Sequence, residues 1–491
     1  MYIIDKPLLD IWNIEILGKK KYPSKLKLAD VSPIHKKLQT VLKENYRPIS
    51  ILPVVTKIFE RIMDKQTNEY IIKYLSDYLC GYRKDYNAQY ALLVMIERWK
   101  KAWDKGKIAA GLLMDLSKAF DTINHKLLIA KLHAYGFDMT SLEILYDYFS
   151  DRWQRTKINS SFSSWSLILC GMAQGSVLGP KFFNIYINDL FYLFINTSVC
   201  NLADDTTPYA CDKDLPTLLQ NLESDISSVM DWFQANYMIL NAAKCHFILS
   251  GPKNVVEHTY VKVGGQIIWE SLKEKLLGLI LDKKLKFPHH VDSMIKKASG
   301  KLSALIRLAR ILPFEKKKIL MNAFIKQQFT DSSYPLVWMF CSSVQDKKIN
   351  NVHKRALRQV YSDFTSTFAE LLDRDNSVTV HQRNIQLVAI EMFKATKELG
   401  PKIVRELFTF NQNNNSDRTF SRPNVEHKTT GENTQAYYGP IVWDEMLPNE
   451  YKAIETLKKF KTAIKKWRPD NCPCSLCGEY VHGVGRVTTF E

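Results

Sequence analysis

Two adjacent aspartates, Asp204 and Asp205, follow an apolar run in the string NLADDT (201–206), and a third, Asp115, ends the apolar run LLMD (112–115). Neighbouring carboxylates repel one another and resist burial, so a chain that sets them at the ends of buried strand-like segments calls for a counter-cation such as Mg²⁺. Side by side, Asp115 and Asp204 can hold two such ions, with Asp205 as a supporting ligand. One ion would lower the pKa of an attacking 3′-hydroxyl and the other would neutralise a triphosphate. The chemistry implied is phosphoryl or nucleotidyl transfer. A single aspartate after an apolar run is more simply a helix cap or a turn residue. The fixed order of MDLSKAFD (114–121), the Gln174-Gly175 pair and LADD (202–205) sets these three apart.

Positioning them requires a sheet. The run from Ile108 to Met114 is too short and too uniformly apolar for a surface helix and reads as a buried strand ending at Asp115. Ser198 to Cys211 reads as a hairpin with Asp204 and Asp205 at its tip, its returning strand weakened by Pro208, which cannot donate to a ladder. Helical spacing marks Val54 to about Leu79, Ala88 to Trp103, Leu127 to Tyr135, Ser141 to Phe149 and Leu215 to Trp232, and Phe182 to Phe194 is amphipathic. Thr156 to Ile168 alternates as a hairpin would, and Leu276 to Leu281 reads as a further short strand. Before Val54, Pro7, Pro23, Pro33, Pro48 and Pro53 predict loops and edge strands. Helices and strands alternate irregularly, which indicates an α+β fold rather than a doubly wound sheet.

At 491 residues and 46% hydrophobic composition, the chain can bury a large core, in roughly two to four domains. Its formal net charge of +17 implies a polyanionic partner, because Lys and Arg neutralise phosphates and release condensed counterions. Basic residues recur from Val291 to Leu312, where Lys296, Lys297, Arg307 and Arg310 lie largely opposite an apolar face, and onward through Lys316 to Lys318, Lys347, Lys348, Lys354 and Arg355. Such a face is either solvated or tracks a nucleic-acid backbone. No apolar run of about 18 residues exists to span a bilayer, and no signal sequence opens the chain. Nucleic acid is therefore favoured over membrane, and an intracellular location, nucleus or cytoplasm, is expected. Six of the nine cysteines (Cys80, Cys170, Cys200, Cys211, Cys245, Cys341) are scattered, as expected of reduced thiols. The other three, Cys472, Cys474 and Cys477, with His482, offer four ligands to Zn²⁺ or stand as reduced thiols; the Cys-X-Cys spacing is unusual for a zinc knuckle. The polar stretch from Asn411 to Thr430 predicts a linker or disordered loop.

In their order these strings resemble the reverse transcriptases of non-LTR retrotransposons of the jockey type. The resemblance begins near Val31 with VSPIHKK and runs through NYRPISILPVVTKIFERI (45–62), GYRK (81–84), LMDLSKAFD (113–121), QGSVLGP (174–180), FNIYINDL (183–190) and CNLADDT (200–206). LNAAKCHF (240–247), LLGLILDKKLKFPHHV (276–291), YYGPIVWDEMLP and FKTAIKKW extend it toward the C-terminus. It implies an RNA-directed DNA polymerase with a right-hand fold: fingers and palm over residues 10–265, primer grip and thumb over 266–350, and a helical basic C-terminal region over 351–491. It implies an RNA template, a DNA primer or target and deoxynucleoside triphosphates as partners, with two Mg²⁺ ions as cofactors.

Carried over by position, the resemblance makes Asp115, Asp204 and Asp205 the metal ligands. Phe120 would be the steric gate whose ring collides with a ribose 2′-hydroxyl; its plainer reading is core packing. Gln174 and Gly175 would lie against the incoming nucleotide, the glycine permitting close backbone approach, or else form a simple turn. Arg83 and Lys84 would contact the triphosphate, or form a surface loop. Lys244 would sit near the leaving pyrophosphate as general acid. Leu276 to Asp282 resembles the primer-grip hairpin, and the basic helix after it the thumb.

Four features depart from the family's pattern: Met172 and Ala173 before Gln174 in place of Val-Pro, Lys181 in place of an apolar residue, Leu202 in place of an aromatic one, and Pro208 in the strand. None removes a metal ligand, yet together they would cost on the order of a few kcal/mol. The alternative is thus a degenerate, catalytically impaired copy acting as a nucleic-acid-binding protein. A splicing maturase ranks last, because residues 291–491 match the retrotransposon pattern better. The family's endonuclease domain would precede Met1.

Overall fold

The structure is a computed structural model and describes residues 2–36, 39–251, 259–330, 333–412, 418–469, 472 and 473. Nine strands position the site: β1 (Leu28–His35), β2 (Tyr46–Ile51), β3 (Ile108–Leu113), β4 (Trp153–Ile158), β5 (Ser161–Phe162), β6 (Ser166–Leu167), β7 (Ser198–Leu202), β8 (Asp205–Asp212) and β9 (His246–Ser250). One sheet has the order β2-β1-β4-β5, with β6 also on β4; the other, fully antiparallel, has the order β7-β8-β3-β9.

The second sheet is covered on both faces, which is why β3 is apolar throughout. Alternate residues go to opposite sides. Ala109 and Leu113 join the cluster that contains the helix Ala88–Asp104, while Ala110, Leu112 and Met114 join the one that contains the helices Gly179–Ile187 and Leu215–Ala235. Both long helices begin at a capping side chain: Asn87 Oδ1 accepts from Tyr90 N at 3.0 Å, and Asp214 Oδ2 from Thr217 N at 3.0 Å.

The helix Ala88–Asp104 also carries the C-terminal half. Asp104 accepts from Glu426 N and His427 N at 2.9 and 2.8 Å, and buried Glu97 from Gln435 N and Ala436 N at 2.9 and 3.1 Å. Its apolar residues pack in one cluster with the helices Pro288–Leu308, Ser343–Tyr361 and Val380–Thr396. Among the described residues no helix is long and apolar enough to cross a membrane.

Four local expectations change. The N-terminal stretch forms a helix, Tyr2–Asp10, continued by a π-type turn, Ile11–Gly18, despite Pro7. Burial of Ile16 and stacking of Trp12 on Phe59 (5.6 Å) override the local proline signal. The helix from Val54 ends at Ile71, short of Leu79, because the Asn188 side chain captures Ser76 N (2.7 Å) and Tyr74 O (2.9 Å) from the chain beyond it. Phe420, inside the expected linker, is fully buried, with Asp444 accepting from its backbone N–H at 3.1 Å; residues 413–417 of that stretch lie outside those described. The strand at Leu276 proves to be a hairpin, Lys273–Leu276 against Leu279–Asp282, turning at Leu277 and Gly278 with positive φ.

Candidate functional site

The three aspartates meet at one end of the second sheet, and strand register brings them there. The β3–β8 ladder runs from Ile108↔Asp212 to Gly111↔Tyr209, lapses opposite Pro208, and resumes as the bridge Met114↔Thr206, where Met114 N donates to Thr206 O at 3.0 Å. Pro208 keeps its pairing with Val199 on the β7 side, so the missing N–H shows only toward β3. One residue further along this register, Asp115 stands beside Asp205. The β3–β9 register ends at Leu113↔His246, and two further residues bring Lys244 beside Asp115. Lys244 Nζ lies 3.3 Å from Asp115 Oδ2, and Asn241 N donates to Asp115 O at 2.9 Å. Lys244, Asp115 and Asp205 therefore form a row across the sheet end, with Asp204 in the adjoining turn.

That turn is held from inside and outside. Ala203 adopts a left-handed conformation (φ 56°), and buried Asn201 donates through Nδ2 to Ala203 O (3.0 Å), Asp205 O (3.3 Å) and Thr206 Oγ1 (3.0 Å). From outside, Gly81 presses on the turn so closely that a Cβ there would lie 2.4 Å from Ala203 N. Asn184, on the helix Gly179–Ile187, donates to Gly81 O at 2.7 Å and fixes it.

The carboxylates perturb one another. Asp205 is pushed up to about 6, first by lost hydration and then by Asp204 and Asp115. Asp204 is raised by lost hydration and by Asp115, against its own backbone N–H and the positive Arg47 and Lys36. Both side chains remain accessible to solvent. Among the described residues, Asp115 has its ion pair with Lys244, and neither Asp204 nor Asp205 has one. Arg47 on β2 and Lys36 just past β1 are functional candidates that the motif reading overlooked. Their sequence signal was weak: basic residues at the loop end of the β1–β2 hairpin, next to the pair Pro33 and Pro48.

Phe120 is half-buried, stacked on buried Phe183 at 4.6 Å and 9°, and met perpendicularly by Tyr82 at 5.9 Å and 88°. Gln174 Nε2 donates to Asp121 Oδ1 at 3.1 Å, and Gln174 O accepts from Ser50 N at 2.7 Å. Gly175 has φ 140°, and a Cβ there would lie 2.4 Å from Ser50 O, so the position demands glycine. Gln174, Lys118, Asp121 and Arg155 are among the residues lining an adjoining cleft of about 390 Å³. Arg83 points inward: it donates to Ser76 O (2.5 Å) and Leu79 O (3.3 Å) and lies over the Tyr86 ring (4.1 Å), leaving exposed Lys84 as the outward charge of that loop. Met172 fills the core, and buried Lys181 finds Asn68 as a partner, its pKa lowered by burial. Cys472 lies 2.9 Å from the Tyr438 hydroxyl and 3.7 Å from His381 Nε2; Cys474, Cys477 and His482 lie outside the described residues.

The model of the family described as "Reverse transcriptase (RNA-dependent DNA polymerase)" matches residues 34–281. The chain is 25% identical over 289 residues to the RNA-directed DNA polymerase from mobile element jockey of Drosophila melanogaster, covering 57% of this chain and 31% of that protein. It is 24% identical over 301 residues to the probable RNA-directed DNA polymerase from transposon BS of the same fly, covering 59% and 33%. The match thus spans about a third of the length of these curated relatives. Among solved structures, apo telomerase from Candida Tropicalis aligns with a TM-score of 0.43 at 12% identity, covering 78% of this chain and 68% of that one.

Proposed function

The chain belongs to the reverse transcriptase (RNA-dependent DNA polymerase) family, and from that membership we propose that it is an RNA-directed DNA polymerase, joining deoxynucleoside triphosphates to a primer 3′-hydroxyl on an RNA template. The observation that carries the proposal is the row of Lys244, Asp115 and Asp205 across one sheet end, with Asp204 beside it. In this reading residues 10–265 are fingers and palm, 266–350 primer grip and thumb, and 351–491 a helical C-terminal region. The substrates, not a membrane, set the location in the nucleus or the cytoplasm.

Asp115, Asp204 and Asp205 fit Mg²⁺. Two of them have raised proton affinity and no ion-pair partner among the described residues, so a divalent cation would relieve the repulsion that raises it. Among the described residues no three His, Cys, Asp or Glu side chains close into a metal cage. Mg²⁺ suits that arrangement, because it commonly takes one or two carboxylates and completes its octahedron with substrate phosphates and water. When bound, two such ions acidify the primer hydroxyl and offset the charge of the triphosphate.

The chain's own residues do the rest. Arg47 and Lys36, which already act electrostatically on Asp204, meet the triphosphate from the β1–β2 side, with Lys84 contributing from its loop. Arg83 shapes that loop from within. Gln174 and Gly175 lie against the incoming nucleotide, the glycine being required there by the close approach of Ser50, and the Phe120 ring excludes a ribose 2′-hydroxyl. Lys244, exposed and 3.3 Å from Asp115, can donate a proton to the leaving pyrophosphate. In-line attack of the hydroxyl on the α-phosphate needs no covalent enzyme intermediate. Cys472, Cys474, Cys477 and His482 remain a proposed zinc set, tested by metal content of wild type against Cys477→Ser.

Primer extension with oligo(dT) on poly(A), Mg²⁺ and dTTP tests the proposal. Extension by the parent and none by the Asp204→Ala, Asp205→Ala double variant supports it. No extension by either protein, with salt-sensitive RNA binding kept by both, would instead favour the impaired nucleic-acid-binding copy.

A further inference from the structure

The Phe120 ring is held by two partners that belong to one connected unit. Below it, Phe183 is fully buried and nearly parallel at 4.6 Å; beside it, the half-exposed ring of Tyr82 meets it at 88° and 5.9 Å. Phe183 and its neighbour Asn184 lie on the helix Gly179–Ile187, and Asn184 anchors Gly81, the residue before Tyr82. The same helix thus supplies one aromatic wall directly and sets the other through a single hydrogen bond.

The direction of Tyr82 is also fixed from its own backbone. It adopts φ 54°, a conformation that a bulky residue holds only where its surroundings impose it. On one side Gly81 is wedged against Ala203 of the aspartate turn; on the other Arg83 is tied to Ser76 O and Leu79 O. The ring of this anchored residue lies against Phe120. The Tyr82 hydroxyl is pushed up first by burial and then by Asp204 and Asp205.

We infer that Tyr82 is a positioning residue for sugar selection: its ring, perpendicular to that of Phe120, fixes the Phe120 ring where a ribose 2′-hydroxyl would collide with it. This rests on the reading of Phe120 as the gate. Phe183 alone leaves the Phe120 ring free to slide in its own plane, the motion that would admit a ribonucleotide. A perpendicular ring packed against Phe120 opposes that slide, and the contact needs the ring of Tyr82 but not its hydroxyl.

The experiment is single-nucleotide incorporation by the full chain, comparing kcat/KM for dTTP and UTP in the parent, Phe120→Val, Tyr82→Ala, Tyr82→Leu and Tyr82→Phe. Phe120→Val is expected to lower the dTTP:UTP ratio most. Tyr82→Ala and Tyr82→Leu should lower it by roughly two- to ten-fold, the scale of one aromatic pair contact, chiefly by improving UTP. Tyr82→Phe should keep the parent ratio. If Phe120→Val relaxes selection while Tyr82→Ala and Tyr82→Leu do not, or if they slow both nucleotides equally, the inference about Tyr82 is wrong and the gate stands. If Phe120→Val itself leaves the ratio unchanged, the gate reading fails and this inference with it.

Discussion

Asp375, at the end of the helix Phe368–Asp375, and the Asp204-Asp205 pair, at a hairpin tip, are treated by their surroundings in opposite ways. Asp375 is buried; burial pushes its pKa up, but Lys318 (3.0 Å) and Lys326 (3.4 Å) outweigh it and hold the carboxyl below its usual range. Asp204 and Asp205 are accessible, have each other and Asp115 as neighbours, and are raised. A carboxylate saturated by cations is finished as a structural element. One that is underprotected in charge, and still open to solvent, has capacity left for a cation from outside.

This contrast can be broken most decisively at the sheet end. The Asp204→Ala, Asp205→Ala variant should lose primer extension to below detection while circular dichroism and melting temperature show an intact fold. Retained extension would erase the distinction. Asp375→Asn should do the reverse, removing about 2–4 kcal/mol of stability, because it leaves Lys318 and Lys326 without their buried counter-charge. Urea unfolding reads that loss, and the rate per folded molecule should be unchanged.

Acidity separates the two regions in a third way. The Asp205 pKa of about 6 lies above the ordinary 3.8, so between these values the folded state takes up a proton that the unfolded chain does not. Repulsion present at pH 7 is relieved as pH falls through 6, and Mg²⁺ must then compete with that proton. At limiting Mg²⁺, extension should fall about fivefold between pH 6 and pH 5 and recover with added Mg²⁺. Asp375, with its lowered pKa, stays ionised over that interval, and its contribution to stability is lost only below it. The smallest effect sharpens the same point: Asp205→Asn should stabilise the fold at pH 7, by less than about 1 kcal/mol given solvent screening, seen as a small rise in melting temperature.

Much of the sheet end was legible because its signals are local. The apolar run of β3, the hairpin from Ser198 and the separation of the two aspartate strings each follow from a few consecutive residues. Other features depend on contacts that no local pattern encodes. Pro208 cannot donate, but whether that weakens the ladder toward β7 or toward β3 is set by sheet order; the structure interrupts only the β3 side. Arg83 sits in a basic string that suggests an outward charge, yet the carbonyls of Ser76 and Leu79 turn it inward. Arg47 and Lys36 gained significance only when folding brought their strands toward Asp204. The N-terminal prolines predicted loops where packing of Ile16 and Trp12 produced helix.

The contact of Gly81 with Ala203 works as a weld between the loop that carries Tyr82 and Arg83 and the hairpin that carries Asp204 and Asp205. The bridge Leu79↔Asn201 ties the same two parts, so the loop and the hairpin pack as one piece. Ser50 is joined in the same fashion to the backbone of Gln174 and Gly175, which pins the inner end of β2 as well. Under the proposed function, the charges that meet the triphosphate, Lys36 and Arg47, therefore sit at the other end of the β1–β2 hairpin, away from this pinned end and within electrostatic reach of Asp204.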